Sequence, residues 1–170
     1  IDKINSLGGL QAISASHPHS YGAMVDWSRA FDDAPIYLAE ADRKWIMRED
    51  TNINFFSAIK PVFDKCTIIV CGGHFEGSSV LHWAASSDGR GVLLVGDTLV
   101  VTQDRKYVGF MYSCPNLIPL GHSEVRHIVD VLGGYDFDRM YSYWLDKEIR
   151  SGAKEALLRS AERYLRYLSL

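Results

Sequence analysis

The sequence predicts an α/β protein, because short apolar runs alternate with segments of helical periodicity. The clearest strand is Thr67–Cys71, a run of mostly β-branched residues that ends at two glycines. The clearest helix is the stretch from Ala153 to Leu168, where apolar residues form one stripe and charged residues lie elsewhere. Between them, Ser79–Ala85 and Gly91–Val95 flank an Asp-Gly turn and predict a β-hairpin. Because no boundary interrupts this alternation, we expect residues 1–170 to form a single domain.

The other elements follow from local patterns along the chain. Leu10–Ser14 is a short predicted strand after a Gly-Gly break, and Tyr21–Phe31 has mixed helical spacing that ends at Asp-Asp-Ala-Pro. Ile36–Leu38 is a second strand, followed by a short helix over Glu40–Met47. The later elements are an irregular segment over Thr102–Pro119, a helix capped by Ser123 with Val125, Ile128, Val129 and Leu132 on one face, and a strand over Phe137–Tyr141.

Composition excludes several classes of protein. A net charge of −3 argues against binding to nucleic acid or to an anionic membrane surface, both of which attract basic proteins. No apolar stretch approaches the ~18–20 residues that span a bilayer. No leader pattern is seen at the start of the sequence, so we expect a protein that is not secreted. Three cysteines without repeated spacing argue against a disulfide framework, so we expect a reducing, cytoplasmic setting. Since the chain begins with Ile1 instead of Met, we also expect a fragment or a processed product.

Three predicted strands each end at a side chain that can bind a metal. The first leads into Ser-His-Pro-His with His17 and His19, the second into Gly-Gly-His with His74, and the third into Gly-Asp-Thr with Asp97. Loops at strand ends can aim side chains at a shared point. We expect extended backbone between His17 and His19, which would point both side chains to the same side. Three imidazoles and a carboxylate are ligands that zinc accepts, at about 2.0–2.2 Å.

Each of these signals has an ordinary structural alternative. A single histidine is more often a hydrogen-bonded structural residue than a ligand, and Gly-Asp-Thr is common turn chemistry. The order, spacing and position of the four residues together favour the metal site. Other catalytic patterns are weaker, since Glu-Gly-Ser-Ser lacks the spacing of a serine-hydrolase elbow and no phosphate-binding glycine loop is present in the sequence.

The same segments resemble the metallo-β-lactamase superfamily in order and spacing. They are Ser-His-Pro-His, Gly-Gly-His-Phe-Glu-Gly-Ser and Gly-Val-Leu-Leu-Val-Gly-Asp-Thr, and the likeness extends from about Leu7 to the predicted strand at Phe137–Tyr141. The resemblance implies an αββα sandwich with the metal at one edge between two sheets. It makes His17, His19 and His74 the three-histidine site and Asp97 the carboxylate that bridges or flanks the metals.

The chain departs from the family pattern at the second metal. Where the family motif His-x-His-x-Asp-His has its Asp and second His, this chain has Tyr21 and Gly22. The family's last His falls in the stretch that reads Tyr-Ser-Tyr-Trp here. The resemblance therefore implies a single ion, with zinc first and iron or manganese as alternatives.

The sequence also lacks several strands that the family places before its first motif. We expect a sandwich truncated at the N-terminus, with an uncovered apolar face through which the chain forms a homo-oligomer.

Two functions follow from this interpretation. The first is a metal-dependent hydrolase that uses one zinc-bound water, with a pKa near ~7, on a small-molecule ester, thioester or amide-like substrate. Asp97 would be the fourth ligand or the group that orients the water, Glu76 is a candidate general base, and Tyr21 is a candidate oxyanion donor. For Glu76 a solvent-exposed carboxylate, and for Tyr21 a packing role, are the structural alternatives. The second function is a catalytically degenerate metal-binding or scaffold module of the same fold.

Overall fold

Two β-sheets with helices on their outer faces form the framework of the computed structural model, which describes residues 1–86 and 88–168. The strands are β1 (Ile13–Ser14), β2 (Ile36–Ala39), β3 (Ile53–Phe56), β4 (Ile59–Phe63), β5 (Cys66–Val70), β6 (Ser79–Trp83), β7 (Val92–Gly96), β8 (Val100–Val101), β9 (Val108–Gly109), β10 (Met111–Ser113), β11 (Ile118–Pro119), β12 (Arg139–Ser142) and β13 (Glu148–Ile149). The helices are α1 (Asp2–Asn5), α2 (Met24–Ala30), α3 (His122–Gly133) and α4 (Ala153–Leu168), with 3₁₀ turns at Pro18–Ser20 and Glu40–Trp45.

The larger sheet has six strands in the order β13-β12-β7-β6-β5-β4. Neighbouring strands are antiparallel except β12 and β7, which are parallel. The predicted hairpin is β6–β7, with Leu81 opposite Leu94 and Trp83 opposite Val92. Ser87, in the predicted hairpin turn, lies outside the described residues.

One face of this sheet holds the main core. Side chains alternate between faces along a strand, so Ile69, Val80, Leu93 and Met140 share a face, and all four are buried beneath α3 and α4. The apolar stripe of α4 packs here through Ala153, Ala156 and Leu157 and leaves its charged side in solvent.

Across the described ranges, no helix combines the length and apolar content needed to cross a bilayer.

The opposite face of the six-stranded sheet is only partly covered. Trp83 and Leu94 are each 44% exposed there and Tyr141 is 36% exposed. A cavity of about 320 Å³ separates this face from Ser14 and Ser16 at the end of β1. The uncovered apolar face expected from the sequence is therefore present, while self-association through it stays a prediction.

The smaller sheet, β1-β2-β3, is parallel and carries the second core. Ile13, Ile36 and Ile53 lie side by side across its three strands, and α2 packs on them through Met24 and Val25. The layers are thus α2, the small sheet, the large sheet, and the α3–α4 pair, which is the αββα arrangement implied by the resemblance.

Several predicted boundaries were wrong. Only the last two residues of Leu10–Ser14 form a strand, and the helix over Glu40–Met47 is a 3₁₀ turn that stops at Trp45. Gly121, not Ser123, occupies the N-cap of α3; the Ser123 hydroxyl donates to the Glu124 carboxylate instead. The irregular Thr102–Pro119 segment contains the short strands β9, β10 and β11. These errors arise because edge pairing and local polar contacts override sequence periodicity.

Candidate metal centre

Three strand ends bring four side chains together at one edge of the two sheets. His17 follows β1, His74 follows β5 and Asp97 follows β7, as the sequence predicts. Each of these residues and His19 offers one ligand atom, and the four atoms all lie within 4.8 Å of one another. His17, His74 and Asp97 are buried, and His19 is exposed. The arrangement is a compact group of three imidazoles and one carboxylate.

The backbone between the first two histidines is not extended throughout. His17 is extended, with φ −167° and ψ 167°, but Pro18 opens the 3₁₀ turn, so the predicted extended His-Pro-His segment was wrong. Proline fixes φ near the value of the first helical residue, which explains the turn. The His19 ring still reaches the group, with its centroid 5.1 Å from that of His17 and 5.3 Å from that of His74.

Hydrogen bonds fix the orientation of two of the rings. His74 Nδ1 lies 2.8 Å from the carbonyl oxygen of Tyr112, which can only accept, so the proton is on Nδ1 and the lone pair of neutral His74 is on Nε2. His17 Nδ1 is 2.8 Å from Ser16 Oγ. Both Nε2 atoms and Asp97 Oδ1 are buried without a hydrogen-bond partner among the described residues. Metal-binding histidines are held through the second ring nitrogen in this way.

The distances between these atoms suit ligands of one ion. His17 Nε2 is 3.5 Å and His74 Nε2 is 4.0 Å from Asp97 Oδ2. Both are too long for a strong hydrogen bond. Tetrahedral ligands at about 2.0–2.2 Å from zinc lie about 3.3–3.6 Å from each other. The residues present therefore fit a divalent metal ion.

Burial keeps His17 in the protonation state that a metal requires. It lowers the pKa of His17 to about 4, helped by the nearby charges of His74 and His19. His17 is thus neutral at pH 7, and a neutral imidazole is the form that coordinates a metal. Burial raises the pKa of Asp97, and His74 and His19 oppose that rise. An isolated buried carboxylate is costly, and a cation beside it would remove that cost.

The group opens into a cavity of about 480 Å³. Cys114, Pro115, Tyr143 and Trp144 complete its wall, and the Tyr143 ring centroid is 5.7 Å from that of His17. From the sequence, Tyr143 and Trp144 were identified only as part of the stretch that lacks the family's last histidine. Cys114 carried no local signal, because its place beside the histidines depends on a loop between β10 and β11.

A second groove, of about 700 Å³, adjoins the first across His19 and His74. Trp45 and Phe75 form apolar walls of this groove. Lys44 and Glu76 lie in it as an exposed ion pair, with Nζ and Oε2 3.0 Å apart. The first groove borders all four side chains of the group, and the second borders His19 and His74.

Two candidate catalytic residues lie away from the metal cavity. The Glu76 carboxylate is 69% exposed and paired with Lys44, which favours the alternative of a solvent-exposed loop carboxylate. The Tyr21 ring is buried in the small core with Met24 and Val25, which favours packing. Burial, with the nearby Asp42 carboxyl, raises the Tyr21 pKa above its ordinary value.

A buried carboxyl supports the His74 loop. Asp42, fully buried, accepts a hydrogen bond of 2.8 Å from the Gly77 backbone N–H, three residues beyond His74. Gly77 is packed so closely that a Cβ atom there would lie 2.6 Å from Asp42 Cγ and 2.7 Å from Ala39 Cβ. Gly96 is similarly restricted: its φ is +53°, and a Cβ would meet Ser16, the partner of His17. Small residues thus let the two ligand loops approach their supports.

We expect Gly77→Ala to lower the free energy of unfolding by about 1–3 kcal/mol, because the added methyl must displace Asp42 or Ala39. Urea unfolding followed by circular dichroism measures this loss. Gly22→Ala is the matched control, since a Cβ there has no neighbour within 4 Å in the described structure. Equal stability of the two variants would contradict the tight packing of the His74 loop.

The chain is similar to proteins of known sequence and structure. It is 44% identical to the uncharacterized protein YmaE of Bacillus subtilis (strain 168) over 99% of its own length, and spans 61% of that protein. No protein-family model matches the chain.

Three solved structures superpose on the chain. A B3 metallo-β-lactamase with an active-site glutamic acid has a TM-score of 0.64 at 15% identity, over 99% of this chain and 74% of its own. The metallo-β-lactamase SMB-1 has a TM-score of 0.65 at 12% identity, over 99% and 79%. A quorum-quenching N-acyl homoserine lactone lactonase has a TM-score of 0.55 at 16% identity, over 84% and 62%. The layer order, the strand-end ligands and these superpositions together show that the chain has the metallo-β-lactamase fold.

Proposed function

We propose that the chain is the metal-binding part of a metal-dependent hydrolase that holds one zinc ion. The observation that carries this proposal is the group of His17, His19, His74 and Asp97, whose ligand atoms lie within 4.8 Å of one another. The unsatisfied, buried Nε2 atoms of His17 and His74 support it, because buried polar atoms are rarely left without a partner. The structures with the same fold include metallo-β-lactamases and an N-acyl homoserine lactone lactonase.

Zinc in such a site polarises a carbonyl oxygen and lowers the pKa of a water molecule to about 7. In this proposal the three imidazoles hold the ion, and Ser16 and the Tyr112 carbonyl keep the His17 and His74 rings in place. Asp97 is the fourth ligand or orients the attacking water through Oδ1, its unsatisfied oxygen. Tyr21 and Glu76 have no catalytic role in this proposal, because Tyr21 is buried in the small core and Glu76 is paired with Lys44.

A single ion is favoured by the residues that follow the first two histidines. Tyr21, at the position of the family's Asp, points its ring into the small core. Gly22, at the position of the second His, has no side chain to offer. Tyr143 and Trp144 line the cavity where the family's last His would be expected. These replacements remove nitrogen and carboxylate ligands from the second metal position.

The two grooves favour a small substrate with an apolar portion. Trp45 and Phe75 border one groove, and Pro115 and Trp144 border the other. Because both grooves border His19 and His74, a substrate carbonyl beside the metal group would have apolar walls nearby on both sides. Esters, lactones, thioesters and amides fit this description, and apolar walls with a few polar groups are typical of such sites.

Metal analysis of the purified chain with the paired substitution His17→Ala/His74→Ala tests the proposal. We expect about one zinc per wild-type chain and less than a tenth of that in the variant, because two of four ligands are lost. The matched control is His122→Ala/His127→Ala, which removes two exposed histidines from α3. Unchanged zinc content in the His17/His74 variant would overturn the proposed site.

Turnover distinguishes the hydrolase from the non-catalytic module. The zinc-loaded chain is assayed against ester, thioester, lactone and β-lactam panels, with the His17/His74 variant as the blank. Hydrolysis that requires the two histidines supports the hydrolase. Stoichiometric zinc without turnover on any panel would favour the module, an alternative that the lost second-metal ligands also favour.

A further inference from the structure

We propose that Phe75 is a positioning residue of the centre, which holds the His19 ring where it can bind the ion. The inference rests on the proposed metal site and assigns a role to a side chain that cannot itself coordinate a metal. Phe75 directly follows His74 in the loop between β5 and β6, and its ring borders the groove of about 700 Å³.

His19 is held differently from the other two histidines. His17 and His74 are buried, and each is fixed by a hydrogen bond at Nδ1. His19 is exposed on a short 3₁₀ turn, and the contacts that orient its ring are made by neighbouring rings. An exposed side chain can occupy several rotamers, and fixing one of them when a ligand binds costs free energy. A rigid neighbour that packs against His19 before the ion binds would remove part of this cost.

The Phe75 ring contacts all three imidazoles. Its centroid is 5.0 Å from that of His19 at an interplanar angle of 87°, and 4.9 Å from that of His74 at 89°. Both contacts are edge-to-face, an arrangement that aromatic rings prefer at such distances. The His17 ring is stacked on Phe75, with the centroids 6.0 Å apart at 23°. One flat apolar side chain is thus packed against every imidazole of the group.

The loop that carries Phe75 is itself held in place. The Phe75 backbone N–H donates a hydrogen bond of 2.8 Å to the hydroxyl of Ser78, which is buried, and the Ser78 backbone N–H donates one of 3.2 Å to the Phe75 carbonyl. The Ser78 carbonyl accepts from the N–H groups of Cys71 and Gly72, which closes the loop at its base. Phe75 is therefore a fixed surface against which the more exposed His19 is ordered.

A general packing role is the alternative, because half-buried aromatic rings stabilise many folds without serving a site. The two roles differ in what the loss of the ring changes. Loss of packing lowers the free energy of unfolding and leaves the zinc affinity of the folded chain as it was. Loss of positioning weakens zinc binding by the folded chain, and it does so only while His19 is present.

The zinc Kd of the full chain, measured by competition with a chromophoric chelator, tests the proposal. We expect Phe75→Ala to raise the Kd about tenfold, as loss of a group that orients a ligand does. Phe75→Leu, which keeps an apolar side chain for folding, should raise it roughly threefold or more. Phe75→Tyr keeps the ring and should stay within about twofold of wild type. The matched control is Phe55→Ala, which removes a half-buried ring packed on the small core and should leave the Kd unchanged.

The same comparison in a His19→Ala chain tests whether Phe75 acts through His19. His17, His74 and Asp97 remain in that chain to bind zinc. Phe75→Ala should now change the Kd by less than about twofold, because two residues that act as a unit are not additive.

The outcomes separate this proposal from the one on which it rests. An unchanged Kd in Phe75→Ala and Phe75→Leu, an equal rise in Phe55→Ala, or an equal effect of Phe75→Ala with and without His19 would overturn the positioning role and leave the four-ligand centre intact. A wild-type chain that binds no zinc would overturn the centre, and the role of Phe75 with it.

Discussion

Saturating zinc is expected to raise the Tm of the wild-type chain by roughly 5–11 °C and to leave that of His17→Ala/His74→Ala unchanged. A ligand at about 100 times its Kd stabilises the folded state by about 2.7 kcal/mol if the unfolded chain does not bind it. For a chain of this size, about 1 kcal/mol shifts Tm by roughly 2–4 °C. The metal would bind only when the sheets hold the strand ends together, so its binding energy becomes folding energy.

The control for this experiment separates the site from surface binding. The Tm of His122→Ala/His127→Ala should rise with zinc as much as that of the wild-type chain, because both histidines lie on the exposed side of α3. Differential scanning fluorimetry with zinc, and with the chelator EDTA as the metal-free state, gives the comparison. Equal zinc-dependent shifts in the wild-type chain and the His17/His74 variant would place the bound metal elsewhere.

The strands and ligands that local sequence signals predict are those that depend on buried sheet packing. Thr67–Cys71 and the β6–β7 pair were predicted because buried strands of the large sheet carry continuous or alternating apolar residues. His74 and Asp97 could be placed at one edge because each directly follows such a strand. The sequence thus predicted the site residues that directly follow a clearly patterned strand.

The supports of the site could not be predicted in the same way. Tyr112 reaches His74 over 38 positions in the sequence, and Asp42 reaches Gly77 over 35. Neither pairing leaves a periodic pattern, since each depends on how loops of different elements meet. The strands β3 and β4 were missed for a related reason: their residues are mostly half-buried or exposed, so apolar alternation is weak.

The metal-free chain should lose about 3 kcal/mol of stability through His17 alone as the pH falls from 6.5 toward 4. The folded protein holds His17 at a pKa of about 4, while the ordinary pKa of an exposed histidine is 6.5. Between these values the unfolded chain binds a proton that the folded chain does not, so acid favours unfolding. A difference of 2.5 pKa units at 1.36 kcal/mol each gives the magnitude. Above 6.5 both states are neutral and the effect is absent.

Comparison with His17→Gln isolates this contribution from the other buried groups. Asp97 acts in the opposite direction, because its raised pKa means that the folded state takes up a proton first and gains stability as the pH falls. Glutamine does not titrate, so the difference between wild type and variant reports His17. Urea unfolding in EDTA at about pH 7, 5.5 and 4.5 measures it, with His122→Gln as the exposed control. If wild type and His17→Gln lose the same stability over this range, His17 is not held neutral by burial, and the physical basis for its readiness to bind a metal is gone.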